Sequence, residues 1–564
     1  MSTEPAHVMV VGAGPSGLTL AHELLRHGVR VRLVDAAAGP SPTSRALATH
    51  ARTLEIYDQM GILPDLMPKG RKVQKFTLHQ NGRKLAALDA DYSQLTTRYP
   101  MTVMVDQAIT ERVLRDAVSR LGVEVEWGTR LQSLEHGPDG ATAVLDRADG
   151  TRETVRVPWL VGCDGGHSTV RKLLGLTLVG DSSETWLIAD AVLDTDLDDR
   201  SIHWLRTRYG SLMAVPFPEQ GKWRLLDTAD ASYDGDADAV GARFAERLSL
   251  GVGRPVRVER PTWVSVFTIQ QRMIRSMRAG RCLVAGDAAH VHSPASGQGM
   301  NTGLQDAYNL AWKLAAVVRG EAAEALLDTY SQERVPVGAA LLGSTNRATQ
   351  LIQLKHPVAA FVLPVMFKVV STFPALRSKV SRKIMRAMSA LDLSYADSAL
   401  SHPATAPGAT GPAPGRRLSE LAEADLARPG FAALAGELRT VGWKLLVGGG
   451  RSALDGTLAG LEKRLGDWLA VRTVDDPGAG PAALPDPDGA LRRRLGLTAA
   501  GDWVLVRPDG YVSARGGAGE RALLAAALTA ATAGLVTDPL PGTGTDTGTD
   551  RADTDRADTH RPRS

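Results

Sequence analysis

An α/β fold is predicted, with an antiparallel sheet inserted into a parallel one and a smaller unit appended. Three observations predict it. A strand-turn-helix-strand pattern opens the chain, β-rich runs interrupt it at 73–87 and from 185 to about 274, and a Pro/Ala/Gly/Thr stretch at 403–414 precedes the last quarter.

The opening pattern is Val8-Met9-Val10-Val11, a glycine turn, an apolar-periodic run through Leu18, Ala21 and Leu25, and then Val31-Arg32-Leu33-Val34. Such a β-α-β unit implies a parallel sheet. From 185 to about 274, the runs 186–192, 202–206, 212–217, 223–226 and 263–269 read as strands of a separate antiparallel sheet. Helical spacing returns after Met300 and runs to about Leu393, with interruptions expected at Pro336, Pro357, Pro364 and Pro374. The expected domains are therefore 1–72, 98–180 and 275–400 for the first, and 73–97 with 181–274 for the second. A linker at 401–415 leads to a third domain at 416–536. That last domain should hold a strand at 443–447, a helical stretch around 461–471, and a hairpin of 503–507 and 511–513 around Pro508-Asp509-Gly510. The 537–564 tail repeats Thr-Gly-Thr-Asp and Arg-Ala-Asp-Thr, offers too few apolar side chains for a core, and is expected to be disordered.

Composition narrows the function classes. Sixty-five Lys and Arg against 62 Asp and Glu give a net charge of +3, so nothing suggests a nucleic-acid partner. Two cysteines, Cys163 and Cys282, exclude a disulfide framework and any multi-thiolate metal site. Both sit in apolar strand sequence and read as small buried residues, and a reducing cytoplasm is the expected compartment. Met1-Ser2-Thr3-Glu4 lacks the basic start of a signal peptide, and Gly12, Gly14 and Gly17 break the apolar run 7–25. The apolar run 361–370 is short, carries Pro364 and Lys368, and is read as buried beneath a domain rather than as a membrane contact.

Three motifs carry chemistry. Gly12-Ala13-Gly14-Pro15-Ser16-Gly17 lies between strand and helix, and Asp35 ends the next strand, 18 residues after Gly17. This is a Rossmann-like dinucleotide fingerprint: Gly12 for the tight turn, Gly14 for approach of a pyrophosphate, Gly17 for helix-strand packing, and Asp35 for ribose hydroxyls. Taken alone, it does not separate NAD from FAD. Next, Asp164-Gly165 ends the apolar strand 159–162, and Ser168 is placed to cap a helix bearing Arg171. Finally, Gly286-Asp287 ends a third strand, and a loop through Pro294 and Gly297 leads into a helix at Gly299-Met300-Asn301. Asp287 is placed for polyol hydroxyls, and the helix start offers N–H groups to an anionic ring.

In this order and spacing the three motifs resemble the class A flavoprotein monooxygenases, the p-hydroxybenzoate hydroxylase-like aromatic hydroxylases. The Pro508-Asp509-Gly510-Tyr511 hairpin is similar to the subgroup with a thioredoxin-like C-terminal domain, which includes phenol hydroxylase and bacterial hydroxylases of aromatic polyketides. The resemblance spans about 8–515. It implies non-covalent FAD, with Gly12, Ala13, Gly14, Pro15, Ser16 and Gly17 at the pyrophosphate, Asp35 at the adenosine ribose, and Arg45 and Gln107 near the phosphates. It puts Asp287 at the ribitol chain, Gly299, Met300 and Asn301 at the isoalloxazine, and Pro294 on its reactive side. Asp164 and Arg171 fall in a motif tied to both FAD and NAD(P)H, and Leu393-Ser394-Tyr395 resembles a recurrent element before the last domain. Pro294 and Arg45 are the residues nearest to a catalytic role. Arg224 matches a strand that supplies a substrate-binding arginine in simpler members, and Trp204 and Phe217 on the same sheet are the accompanying substrate candidates.

The implied reaction is hydroxylation of a phenolic or polycyclic aromatic, with an aromatic polyketide intermediate as the best match, through a flavin C4a-hydroperoxide, with NADPH or NADH as transient donor. Partners are the aromatic substrate and dioxygen, and a homodimer is the assembly considered. Baeyer–Villiger oxygenation and catabolic phenol or phenylpropionate hydroxylation share the scaffold, and a non-catalytic flavin-binding protein is a remote alternative. The Trp-x-Trp-x-Ile-Pro signature of flavin halogenases is absent from the sequence. His290-Val291-His292 lacks a third ligand at metal spacing, so no metal is expected. Gly517-Ala518-Gly519-Glu520-Arg521-Ala522 has no acidic residue on a following strand and reads as a helix-entry turn, leaving the nicotinamide donor no Rossmann unit of its own. The third domain contains no cysteine and cannot perform thiol–disulfide exchange.

Overall fold

The computed structural model describes residues 5–43, 46–292, 297–353, 372–403, 411–449 and 455–536. The predicted disordered tail, the core of the linker and the run 361–370 lie outside these residues.

A six-stranded sheet carries the three motifs. Its order is Arg278–Ala279, Cys282–Val284, Trp159–Gly162, Val8–Val11, Val31–Val34 and Val125–Glu126, parallel except for the first pair. Val8–Val11 is buried along its whole length, as expected of a central parallel strand covered on both faces. Strands distant in sequence thus become neighbours. The four segments that leave them, at Gly12, Asp35, Asp164 and Asp287, emerge side by side at the carboxyl edge where α/β sheets bind ligands.

The second sheet has nine strands. In order they are His290–Val291, Trp263–Met273, Val179–Asp194, Lys222–Asp227, Gly210–Pro216, Ser201–Thr207, Lys75–Gln80 and Arg83–Asp89, with Arg257–Val258 pairing aside on Val179–Asp194. The only parallel pair in the path joins Ser201–Thr207 to Lys75–Gln80 and brings the 75–89 hairpin into the sheet. Its two faces differ. Leu187, Ala189, Leu205 and Leu225 pack against Val240, Phe244, Leu248 and Val252 of helix Ala237–Val252, whereas Trp186, Ile188, Met213 and Leu226 belong to the opposite face.

Three local expectations need correction. The helix Ala237–Val252 falls in a region read as strands only; its apolar residues recur every four positions and Asp236 caps its start, accepting from the N–H groups of Asp238 and Ala239. Pro336 does not interrupt its helix, which runs Asp328–Gln353 with the proline inside. The preceding turn is anchored by the buried ion pairs of Glu333 and Arg334, which offset the lost backbone hydrogen bond. The expected helix around 461–471 divides into helix Asp455–Leu465 and strand Leu469–Val474, because Leu-Ala-Val-Arg-Thr-Val pairs in parallel with Trp443–Gly448.

The C-terminal sheet runs Ala483–Leu484, Leu469–Val474, Trp443–Gly448, Trp503–Val506 and Val512–Gly516, its first three strands parallel and the last two antiparallel. One of its faces shares a core with helix Gly299–Val318. Trp312 of helix Gly299–Val318 meets Trp443 edge-on at 5.6 Å, and Trp503 and Leu505 belong to the same cluster. Among the described residues, no helix is long and apolar enough to cross a membrane.

Candidate active site

The glycine turn is shaped by its neighbours. Gly12 has φ +105°, and a Cβ there would strike the Cys163 carbonyl; one at Gly17 would overlap the Gly12 carbonyl oxygen. At Gly14, by contrast, a Cβ would meet nothing within 4 Å. Gly12 and Gly17 therefore serve packing, while Gly14 leaves its side open to a cavity. Helix Pro15–Arg26 begins without a side-chain cap, so its first-turn N–H groups remain available to a phosphate. Asp35 steadies the turn, its carboxylate accepting from Ala13 N at 2.7 Å and Ala37 N at 2.8 Å.

The second motif is a helix cap as well as a cavity wall. Ser168 accepts from Arg171 N at 2.9 Å, as its sequence position predicts. Asp164 accepts from Ser168 Oγ, Thr169 N and Val170 N, and also lines the cavity. Arg171 is buried away from that cavity and donates to Ala288 O at 3.2 Å, tying the second motif to the third.

At the third motif Asp287 is exposed to the cavity while both of its neighbours are buried. Ser16 sits between Gly286 and Gly303, where a Cβ on either glycine would collide with its hydroxyl. The first and third motifs are thereby in direct contact. Helix Gly299–Val318 again starts without a side-chain cap, and Gly299 and Met300 line the cavity. The Asn301 side chain is used elsewhere: it accepts from His50 N and donates to Ala48 O and Gly297 O, fastening the helix start to the 48–50 segment. Gln107 lines the cavity, accepts from Ala46 N and donates to Glu111, whose carboxyl burial pushes up. Arg45 and Pro294 lie outside the described residues.

These groups border one cavity of about 1400 Å³ that continues across the apolar face of the nine-stranded sheet. Its far side is formed by Phe76, Leu78, Trp204, Met213 and Leu226, with Ile384 and Met385 of helix Pro374–Ser389 above them. Arg224 also lines it. Its guanidinium grips Asp190 through two 2.8 Å hydrogen bonds and lies 5.2 Å from the Phe217 ring centre and 5.3 Å from that of Trp263. Burial pushes the Asp190 carboxyl up, and the arginine opposes that rise. Phe217 is buried beneath Arg224 and Lys222 and does not itself border the cavity.

Sequence reading weighed His290 only as a metal ligand and gave no role to Asp306 or Arg334, which lie with it behind this wall. His290 Nε2 donates to Asp306 at 2.6 Å, and Arg334 donates to the same carboxylate at 2.6 Å. Only Asp306 had a local signal, lying seven residues beyond Gly299 on the apolar face of the helix. Both cysteines are buried; burial pushes Cys282 up to about 12 and Cys163 further, which makes them poor nucleophiles.

The residues fit a flavin dinucleotide. Two uncapped helix starts, an open glycine, and the carboxylates of Asp35 and Asp287 border one cavity. Comparison with known families agrees: residues 5–345 match an FAD binding domain. This chain belongs to the FAD-dependent monooxygenases. The flavin monooxygenase is 51% identical over 544 residues to 6-methylpretetramide 4-monooxygenase of Streptomyces rimosus, covering 96% of each chain. Among solved structures it is similar to an anhydrotetracycline hydroxylase from Streptomyces rimosus, at 28% identity and TM-score 0.70, covering 93% of this chain and 98% of that one. It is also similar to aklavinone-11 hydroxylase, solved with FAD and aklavinone, at 26% identity and TM-score 0.72, covering 94% of this chain and all of that one.

Proposed function

We propose that this monooxygenase hydroxylates a phenolic polycyclic substrate, a tetracyclic aromatic polyketide intermediate, using dioxygen and NADPH or NADH. The observation that carries the reading is the single cavity that joins the glycine turn to a broad apolar sheet face. Its volume of about 1400 Å³ exceeds the roughly 300–1,000 Å³ usual for a small-molecule site, and its far walls are aromatic and aliphatic. The 51% identity over nearly the whole chain to 6-methylpretetramide 4-monooxygenase supports a substrate of that class.

Bound FAD supplies hydride acceptance and dioxygen activation. The chain's own residues bind and orient. The N–H groups after Gly14 receive the pyrophosphate, Asp35 the adenosine ribose, and Asp287 the ribitol. Gly299 and Met300 offer backbone donors that favour negative charge on the ring. Gln107 and Asp164 complete the wall, with Arg171 and Asn301 acting from behind it, and Arg45 and Pro294 take the phosphate and reactive-side roles. Trp204 stacks the substrate and Arg224 presents cationic character to a phenolic oxygen, with Phe217 supporting the guanidinium. The apolar sheet face excludes water from the reacting centre. The strand order of the C-terminal sheet supports a thioredoxin-like unit without cysteines, acting in structure or assembly. A cytoplasmic enzyme, assembling as a homodimer, completes the proposal.

The test is anaerobic stopped-flow reduction of the bound flavin by NADPH and by NADH, with 6-methylpretetramide, simple phenols and naphthoquinones as effectors. Many-fold acceleration by the tetracycle, followed in air by a product one oxygen heavier that retains every ring, is expected. Acceleration by simple phenols alone would overturn the polyketide assignment, and a ring-expanded lactone product would replace hydroxylation with Baeyer–Villiger oxygenation.

A further inference from the structure

The Asp306 carboxylate lies behind the cavity wall and does not border it. It is completely buried, and three donors from three parts of the chain converge on it. Gly286 N donates at 3.2 Å, His290 Nε2 at 2.6 Å and Arg334 Nε at 2.6 Å. Two of these donors flank Asp287 in sequence, one on each side. Arg334 extends the arrangement, with its other nitrogens donating to Thr302 O at 3.2 Å and Tyr395 Oη at 3.0 Å. Thr302 lies in the first turn of helix Gly299–Val318, beside the cavity-lining Gly299 and Met300.

One carboxylate–guanidinium pair therefore fastens both the Asp287 loop and the helix start. Three charge-assisted hydrogen bonds on a desolvated carboxylate leave it little rotational freedom, so the loop inherits a single orientation. A purely packing role would not require charge. Apolar groups of similar volume often fill such a site as stably, so the retained ions point to positioning.

We propose that Asp306, held by Arg334, is a positioning residue that sets the Asp287 loop and the start of helix Gly299–Val318 in the geometry that binds the flavin. The proposal rests on the reading of Asp287 as a flavin ligand. It also places Tyr395 at the link to the C-terminal unit, since its ring lies 4.6 Å from that of Tyr511.

The experiment is titration of each apoprotein with FAD, followed by flavin fluorescence and absorption, alongside apoprotein thermal unfolding. Asp306→Asn keeps an acceptor for Gly286 and His290 but loses the charge that holds Arg334. Arg334→Lys keeps a charge but cannot reach Asp306, Thr302 and Tyr395 together. Each should weaken FAD at least tenfold and shift the bound-flavin spectrum, while the apoprotein still unfolds cooperatively. Wild-type FAD affinity and spectrum in both variants would overturn the proposal, as would a lowered apoprotein melting temperature with unchanged FAD affinity. If Asp306→Asn does not fold, Arg334→Lys decides by the same two readouts. Asp287→Ala separates the two readings. Unchanged FAD affinity there refutes the site assignment, whereas a loss confined to Asp287→Ala refutes only the role of Asp306.

Discussion

Arg507 places its two terminal nitrogens on the two oxygens of Glu333, at 2.7 and 2.9 Å, joining the C-terminal hairpin to helix Asp328–Gln353. Lys313 and Asn309 donate to the same carboxylate at 2.7 Å, and Asp509 receives Arg507 from the opposite side. Burial alone would raise the Glu333 carboxyl, but Arg507 and Lys313 overcome it and hold it well below the usual range. Removing one partner strands a buried charge. Arg507→Met should cost about 3–5 kcal/mol in denaturant unfolding, and adding Glu333→Gln should recover part of that loss. Additive losses in the double variant would contradict the coupling.

The glycines of the first turn should separate cleanly. Gly17→Ala drives a methyl into the Gly12 carbonyl and should destabilise the apoprotein by ~3 kcal/mol or more. Gly14→Ala has open space and should cost apoprotein stability no more than about 1 kcal/mol, the loss expected on placing Ala at a helix N-cap, yet weaken FAD at least tenfold because its methyl occupies the pyrophosphate path. Equal FAD affinity for Gly14→Ala and wild type would place the pyrophosphate elsewhere.

Arg224 and Asp190 form a buried pair whose structural and substrate roles can be told apart. Arg224→Met leaves Asp190 desolvated and unpaired, a loss of about 3–5 kcal/mol. Arg224→Met with Asp190→Asn should regain much of that stability. If Arg224 also meets the substrate, aromatic-ligand Kd should stay raised about tenfold or more in the double variant while flavin content returns to normal. Recovery of both quantities would assign Arg224 to structure alone.

Acid should weaken the helix that follows the glycine turn in two stages. Burial pushes the His27 imidazole down to about 4, so between pH 6.5 and 4 the unfolded chain binds its proton more readily than the folded one. The associated stability is present above pH 6.5 and is lost as pH falls towards 4. Glu23 is held down to about 2; burial opposes this, and Arg26 and His22 outweigh it. Its contribution is present above about pH 4.5 and is lost as pH falls towards 2. Between pH 7 and 4, the unfolding free energy of His27→Gln should therefore gain about 2–3 kcal/mol relative to wild type. Parallel pH curves for the two proteins would refute this.

What could be read from sequence was local. Gly12 to Gly17, Asp35, Ser168 and the strands near 186–192 and 202–206 declare themselves because turn geometry, capping and alternation act over a few residues. The helix Ala237–Val252 was missed even though its period is local, since Gly241 and Gly251 dilute it within a β-rich block. Pairings between distant positions left no such trace. Asp190 and Arg224 are 34 residues apart, Asp306 and Arg334 are 28 apart, and Glu333 and Arg507 are 174 apart. A buried charge requires a partner but does not specify where in the chain that partner lies. The sequence by itself determined the cofactor-binding turn, and it indicated the class of chemistry only through the family its three motifs resemble. The tertiary structure decided which ions hold the site, because only the folded sheet order brings those residues within hydrogen-bonding distance.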